Sequence, residues 1–158
     1  MIRLYVPGML RYRDLAVRVV AAACKLVGDE AERSGETDFD VQVISAFGEA
    51  FNNIAIHGYR EGDAGEVVVE LEVFSDRITV RIVDHGESYD ISSVPQPELD
   101  MLPERGMGLF IIQSFMDEFS YHPGPPNVLS LTKYLKPSAR QAGGTHAKVE
   151  SAGETEAP

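Results

Sequence analysis

Asp84, in the run Asp84-His85-Gly86, closes a stretch in which Ile78, Val80 and Ile82 alternate with polar residues. In a strand that parity puts the Asp84 carboxylate on the apolar face, where it requires donors. Gly86 removes a side chain at a point where a planar ligand or another backbone could come close. A carboxylate so placed could accept a hydrogen bond from the exocyclic amine of adenine, although Asp-x-Gly also serves as an ordinary turn. A second grouping, Arg105-Gly106-Met107-Gly108, precedes an apolar run. Backbone N–H groups at the start of such a helix can cradle an anion, and glycines let backbone approach it. Many helices begin with glycine for conformational reasons alone. A third grouping is Glu49 and Asn53, four residues apart, which a helix would stack on one face with His57 continuing the ramp. Ordinary solvated helix faces carry such pairs too. The chain has no G-x-x-x-x-G-K-[ST] run, which removes the usual P-loop reading.

The elements that must position these residues are legible in outline. Ile2 to Val6 alternates as a strand and stops at Pro7-Gly8. A helix is predicted from about Arg11 to Arg33, with Leu15, Val19, Ala22 and Leu26 at helical spacing. A second helix is predicted from Asp38 or Asp40, with Val43, Phe47, Ala50, Phe51 and Ile54 as its apolar stripe opposite Glu49 and Asn53. It is expected to end near His57-Gly58, the glycine suiting a left-handed stop. Residues 65–73 and 77–84 form a hairpin across Ser75-Asp76. From Glu87 to Arg105 no period survives and Pro95, Pro97 and Pro103 intervene, which indicates a long irregular loop, of the kind that serves as a functional lid or is a disordered insert. A third helix follows from Gly106 to about Met116, then strands from Glu118 to His122 and Val128 to Leu135. Helices early and strands late suggest an α+β sandwich, an antiparallel or mixed sheet under a layer of helices.

Composition narrows the class. The 158 residues, 44% of them hydrophobic, suffice for one domain with a single core. A net charge of −11 argues against a nucleic-acid partner, since such proteins present a basic face. Cys24, the one cysteine, sits in an apolar run and reads as a core residue. The first twenty residues carry no secretory pattern and no run is long enough for a membrane span, so a cytoplasmic location is expected. From Pro137 to Pro158 the one sizeable apolar residue is Val149. The expected division is therefore a folded domain over 1–136 and a disordered tail over 137–158.

The order of the three groupings resembles the GHKL (Bergerat-fold) ATPases. Gly48-Glu49-Ala50-Phe51-Asn52-Asn53-Ile54-Ala55-Ile56-His57-Gly58-Tyr59 is similar to the N box of their anti-sigma-factor serine kinases. Glu104-Arg105-Gly106-Met107-Gly108-Leu109 is similar to their second glycine box. The likeness extends to Phe115-Met116-Asp117-Glu118 and to Asn127-Val128-Leu129-Ser130-Leu131-Thr132-Lys133, about residues 10–135 in all. It implies a two-layer Bergerat sandwich, a mixed, mostly antiparallel sheet covered by about three helices, with 87–105 as the ATP lid. The wider superfamily often has Asp-x-Gly-x-Gly where this chain has Asp84-His85-Gly86-Glu87-Ser88, so Ser88 stands where a second glycine is usual.

The resemblance implies that ATP and Mg²⁺ are the cofactors. Asn53 would hold the metal and Asp84 and Gly86 the adenine. Arg105, Gly106, Met107 and Gly108 would wrap the phosphates, and Glu49 would be the general base. It also implies two protein partners, a STAS-type anti-anti-sigma protein phosphorylated on serine and a sigma factor held sequestered. Related short kinases commonly dimerise, so a second copy of the chain is a further partner to test. The rival reading is a binding module that uses ATP only to set its shape, against which the retained Glu49 argues. A sensor histidine kinase would need a dimerising hairpin with a phospho-accepting histidine before residue 38. A gyrase-type or chaperone-type motor would need transducer domains that this length does not hold.

Overall fold

The computed structural model describes residues 1–28, 38–59, 65–88 and 107–135. The expected lid core, Arg105 and Gly106, and the tail from residue 137 lie outside the described residues. Strand β1 (Ile2–Pro7) leads through a 3-10 turn (Leu10–Tyr12) into helix α1 (Arg13–Cys24). Helix α2 (Phe39–Asn53) runs on into a π-turn (Ile54–Gly58). The hairpin β2 (Glu66–Val73) and β3 (Arg77–Asp84) follows, then helix α3 (Met107–Phe115) and strands β4 (Glu118–His122) and β5 (Asn127–Tyr134).

The strands stand in the order β1-β2-β3-β5-β4 and every pairing is antiparallel, which narrows the mixed sheet expected from the sequence. Strict alternation in β2 and β3 puts Val67, Val69, Leu71, Ile78, Val80 and Ile82 on one buried face, joined by Leu129 and Leu131 of β5. On the opposite face Glu70 accepts from Arg3 and Arg81, both at 2.9 Å, tying β1, β2 and β3 side by side. Helices α1 and α2 pack together over the buried face, and α3 lies against α2.

Helix α2 forms as its pattern requires. Phe39, Val43, Ala46, Phe47, Ala50 and Phe51 are buried, and the Phe47 and Phe51 rings meet with centroids 6.1 Å apart. Asp38 occupies its N-cap without a side-chain cap bond, and a Lys25–Asp40 ion pair joins its first turn to the end of α1. Helix α1 departs from expectation in length and in phase. Its buried residues are Ala16, Val20, Ala23 and Cys24, whereas Leu15 and Leu26 are 50% and 63% exposed. Small side chains on the inner face let α1 pack against α2, and of the stripe one residue out of phase Leu15 and Leu26 are left outside while Val19 is partly buried against the core. Cys24 is fully buried, as its apolar setting predicts.

Gly58 is a second correction. The helix leaves through the π-turn, and Gly58 is absent from the positive-φ glycines of the described residues, Gly28 and Gly124. No left-handed stop is used, because the wider turn itself redirects the chain. No helix among the described residues is long and apolar enough to cross a membrane.

Candidate functional site

Two polar clusters lie in sequence along the end of α2. The first forms where α3 begins. A Cβ built on Gly108 would lie 3.1 Å from Glu49 Oε2 and 3.6 Å from both amide atoms of Asn53. The i,i+4 stacking expected of Glu49 and Asn53 is therefore real, and the stack faces the first turn of α3. A bare glycine there leaves a slot between the carboxylate, the amide and the main chain. The opening N–H groups of a helix have no intrahelical acceptor, so the first turn at Met107 and Gly108 offers donors beside that slot. Glu49, Asn53, Met107 and Gly108 are all partly exposed, hence reachable from solvent.

The second cluster surrounds Asp84, 4% exposed at the end of β3. Its Oδ1 accepts from the Gly86 N–H at 2.8 Å and from Asn127 Nδ2 at 3.1 Å. Among the described residues its Oδ2 makes no hydrogen bond. Gly86 is pressed against the π-turn. A Cβ on it would lie 2.7 Å from the Gly58 carbonyl carbon and 2.9 Å from Gly58 Cα, with the carbonyl oxygen closer still. The neighbouring Glu87 N–H donates to that same Gly58 oxygen at 2.7 Å. This is the close backbone approach that the sequence position of Gly86 suggested. Gly58 itself has room, since a Cβ on it would meet Ile54, Asp84 and Gly86 at 3.6 to 3.9 Å.

The π-turn connects the clusters, because Asn53 precedes it and Gly58 ends it, less than two helical turns apart. That strip suits a ligand with a flat head at Asp84 and a charged tail at the start of α3. Tyr59 buttresses the head end: its hydroxyl donates to the Glu66 carbonyl and accepts from the His85 N–H, both at 3.3 Å. Burial raises the Tyr59 pKa above the usual tyrosine value, Asp84 adds to the rise, and the His85 N–H opposes it. His57 is exposed at the end of the π-turn and joins neither cluster. Asp117 anchors the far end of α3, bonding buried Lys133 Nζ at 3.3 Å and the Tyr134 N–H at 2.8 Å.

Asn127 is a member of the site that sequence reasoning missed. It is 1% exposed and faces the core with Leu129 and Leu131. The signal was available in the same parity that exposed Asp84, a polar residue alternating inward at the end of a strand.

The slot at Gly108 and the half-bonded Asp84 carboxylate fit an adenine nucleotide. Among the described residues no three His, Cys, Asp or Glu side chains gather as a metal cluster. The donor available to a cation is the Asn53 amide oxygen, which suits Mg²⁺, an ion that keeps several waters and shares phosphate oxygens. A two-layer α+β sandwich whose second helix meets the start of the third through Glu49 and Asn53 is of the histidine-kinase-like type. The family profile described as "Histidine kinase-like ATPase domain" matches residues 10–133, and the chain belongs to that family. It is 33% identical over 114 residues to "Serine-protein kinase RsbW" of Bacillus velezensis, covering 66% of this chain and 71% of that protein. The Staphylococcus aureus protein of the same name is 31% identical over 127 residues, covering 74% of this chain and 80% of the relative. Among solved structures, the RsbU and RsbW domains of a Mycobacterium tuberculosis protein align with TM-score 0.49 and 17% identity, over 87% of this chain and 34% of that one.

Proposed function

We propose that this chain is an ATP-dependent protein-serine kinase that phosphorylates a STAS-type anti-anti-sigma protein and sequesters a sigma factor. The observation that carries the reading is the slot at Gly108, which sets a carboxylate and an amide together beside a helix start. The relatives named as serine-protein kinases support it.

In this reading Asp84 Oδ2 accepts from the adenine amine, while Gly86 lets the end of β3 close on the π-turn and holds Asp84 Oδ1 with its N–H. Asn53 offers its amide oxygen to Mg²⁺. The N–H groups at Met107 and Gly108 turn toward the phosphates, and the family resemblance adds Arg105 and Gly106 to them. When bound, Mg-ATP supplies the phosphoryl group and neutralises charge on it. Glu49 stands one turn from Asn53, near enough to take the proton of an incoming serine hydroxyl without holding the metal. Phosphoryl transfer asks chiefly for positioning and charge neutralisation, so one base with these contacts is a sufficient set.

The test replaces Glu49 with Gln, which keeps size and removes the base. Phosphate is counted on the serine of a STAS-type protein that the wild type is shown to bind. Transfer is expected to fall by about 10²-fold or more, with ATP affinity retained. A wild type that binds the partner and transfers nothing supports the sequestering module instead. Transfer by Glu49→Gln at the wild-type rate removes Glu49 as base.

A further inference from the structure

Asn127 opens β5 directly opposite Asp84 in the β3–β5 ladder. Every hydrogen-bonding position of its amide is used. Nδ2 donates to Asp84 Oδ1 and to the Gly86 carbonyl, both at 3.1 Å. Oδ1 accepts from Ser88 Oγ at 2.6 Å and from the Gly124 N–H at 3.1 Å. The orientation of the amide is fixed by chemistry, because a backbone N–H only donates and a carbonyl only accepts. The amide nitrogen therefore faces Asp84 and the oxygen faces Ser88.

The consequence falls on the carboxylate. Oδ1 of Asp84 receives both Asn127 Nδ2 and the Gly86 N–H, which fills its two lone pairs. A carboxylate with both oxygens open can take two adjacent N–H groups at once, as guanine offers at N1 and N2. With one oxygen open it takes a single N–H, as adenine offers at N6. Guanine presents an acceptor, O6, at the corresponding place and is repelled.

We propose that Asn127 is a specificity-determining positioning residue. It occupies Oδ1 of Asp84 so that the carboxylate reads the adenine amine and rejects guanine, and Ser88 locks it in that role. The proposal rests on the nucleotide-binding reading given above. It also gives Ser88 a function where related sequences often place glycine: its hydroxyl is one of the two donors that hold the Asn127 oxygen away from Asp84.

Dissociation constants for Mg-ATP and Mg-GTP, measured by calorimetry on wild type, Asn127→Asp and Ser88→Ala, test this. Asn127→Asp keeps the shape but turns an oxygen toward Asp84 Oδ1 and the Gly86 carbonyl. The ATP-over-GTP preference is expected to drop about tenfold or more in Asn127→Asp, and roughly two- to fivefold in Ser88→Ala. Ser88 is exposed, so its variant folds whatever happens to the other, and it decides alone if Asn127→Asp does not fold. A preference unchanged in every folded variant overturns the proposal. So does a wild type that binds ATP and GTP equally, a result that leaves the nucleotide reading standing. A wild type that binds neither nucleotide overturns that reading and the proposal with it.

Discussion

Replacing Gly86 with alanine adds one methyl group at the point where two backbones touch. The new Cβ would lie 2.7 Å from the Gly58 carbonyl carbon and 2.9 Å from its Cα. These are main-chain atoms of the π-turn, and no side-chain rotation relieves them. Overpacking of this kind costs about 1–3 kcal/mol. Moving the segment also stretches the Glu87 N–H bond to the Gly58 oxygen, now 2.7 Å, which adds about 0.5–1.5 kcal/mol. The expected loss is about 1.5–4.5 kcal/mol, or roughly 3–18 °C in melting temperature for a chain of this size. Because the Gly86 N–H also holds Asp84 Oδ1 at 2.8 Å, ATP affinity should fall with it. Gly58→Ala is the matched control, its Cβ meeting neighbours at 3.6 to 3.9 Å, and should be neutral or slightly stabilising. The assay is thermal unfolding of both variants by circular dichroism, with Mg-ATP affinity alongside. Equal stability of Gly86→Ala and wild type, or a larger loss in Gly58→Ala, would refute the argument from close backbone approach.

Other outcomes follow from the same contacts. Gly108→Ala should fold normally, since the nearest atom its methyl meets is the flexible Glu49 carboxylate at 3.1 Å, yet lose phosphoryl transfer by about tenfold or more through displacement of Glu49; steady-state transfer assays beside a melting curve check both halves. Asp117→Ala should cost about 1–3 kcal/mol in urea unfolding because it strands Lys133, whose side chain is 4% exposed. Lys133→Met in the same assay should cost far less, as it removes the buried charge with its need for a partner. Tyr59 holds its proton more tightly folded than unfolded, so its contribution is complete below the ordinary tyrosine value near pH 10 and is lost as pH rises through the folded-state value. Stability measured at alkaline pH should therefore fall less steeply in Tyr59→Phe.

The two clusters were legible to different degrees. The inward carboxylate at Asp84 and the stacked Glu49 and Asn53 come from periodicity, which sequence carries directly. Which face of α1 is buried does not, because Leu15 and Ala16 both fit a helical stripe and the choice depends on how closely α2 approaches. Gly58 and Gly86 look alike in sequence, and only their mutual contact makes one replaceable and the other not. Asn127 draws its meaning from Asp84 and Ser88, 43 and 39 residues away, pairings set by the sheet register. The expected lid residues Arg105 and Gly106 lie outside the described residues, so their place by the phosphates stays with the proposal.

Calorimetric titration of Mg-ATP into wild type and Asn53→Ala shows whether the strip from Asp84 to Gly108 binds an adenine nucleotide through the end of α2. Wild type is expected to bind in the micromolar to submillimolar range, and binding is expected to weaken by about tenfold or more once the Asn53 amide is gone. No heat and no thermal shift at millimolar Mg-ATP would contradict the nucleotide site itself. Undiminished binding by Asn53→Ala would contradict the metal role assigned to that side chain.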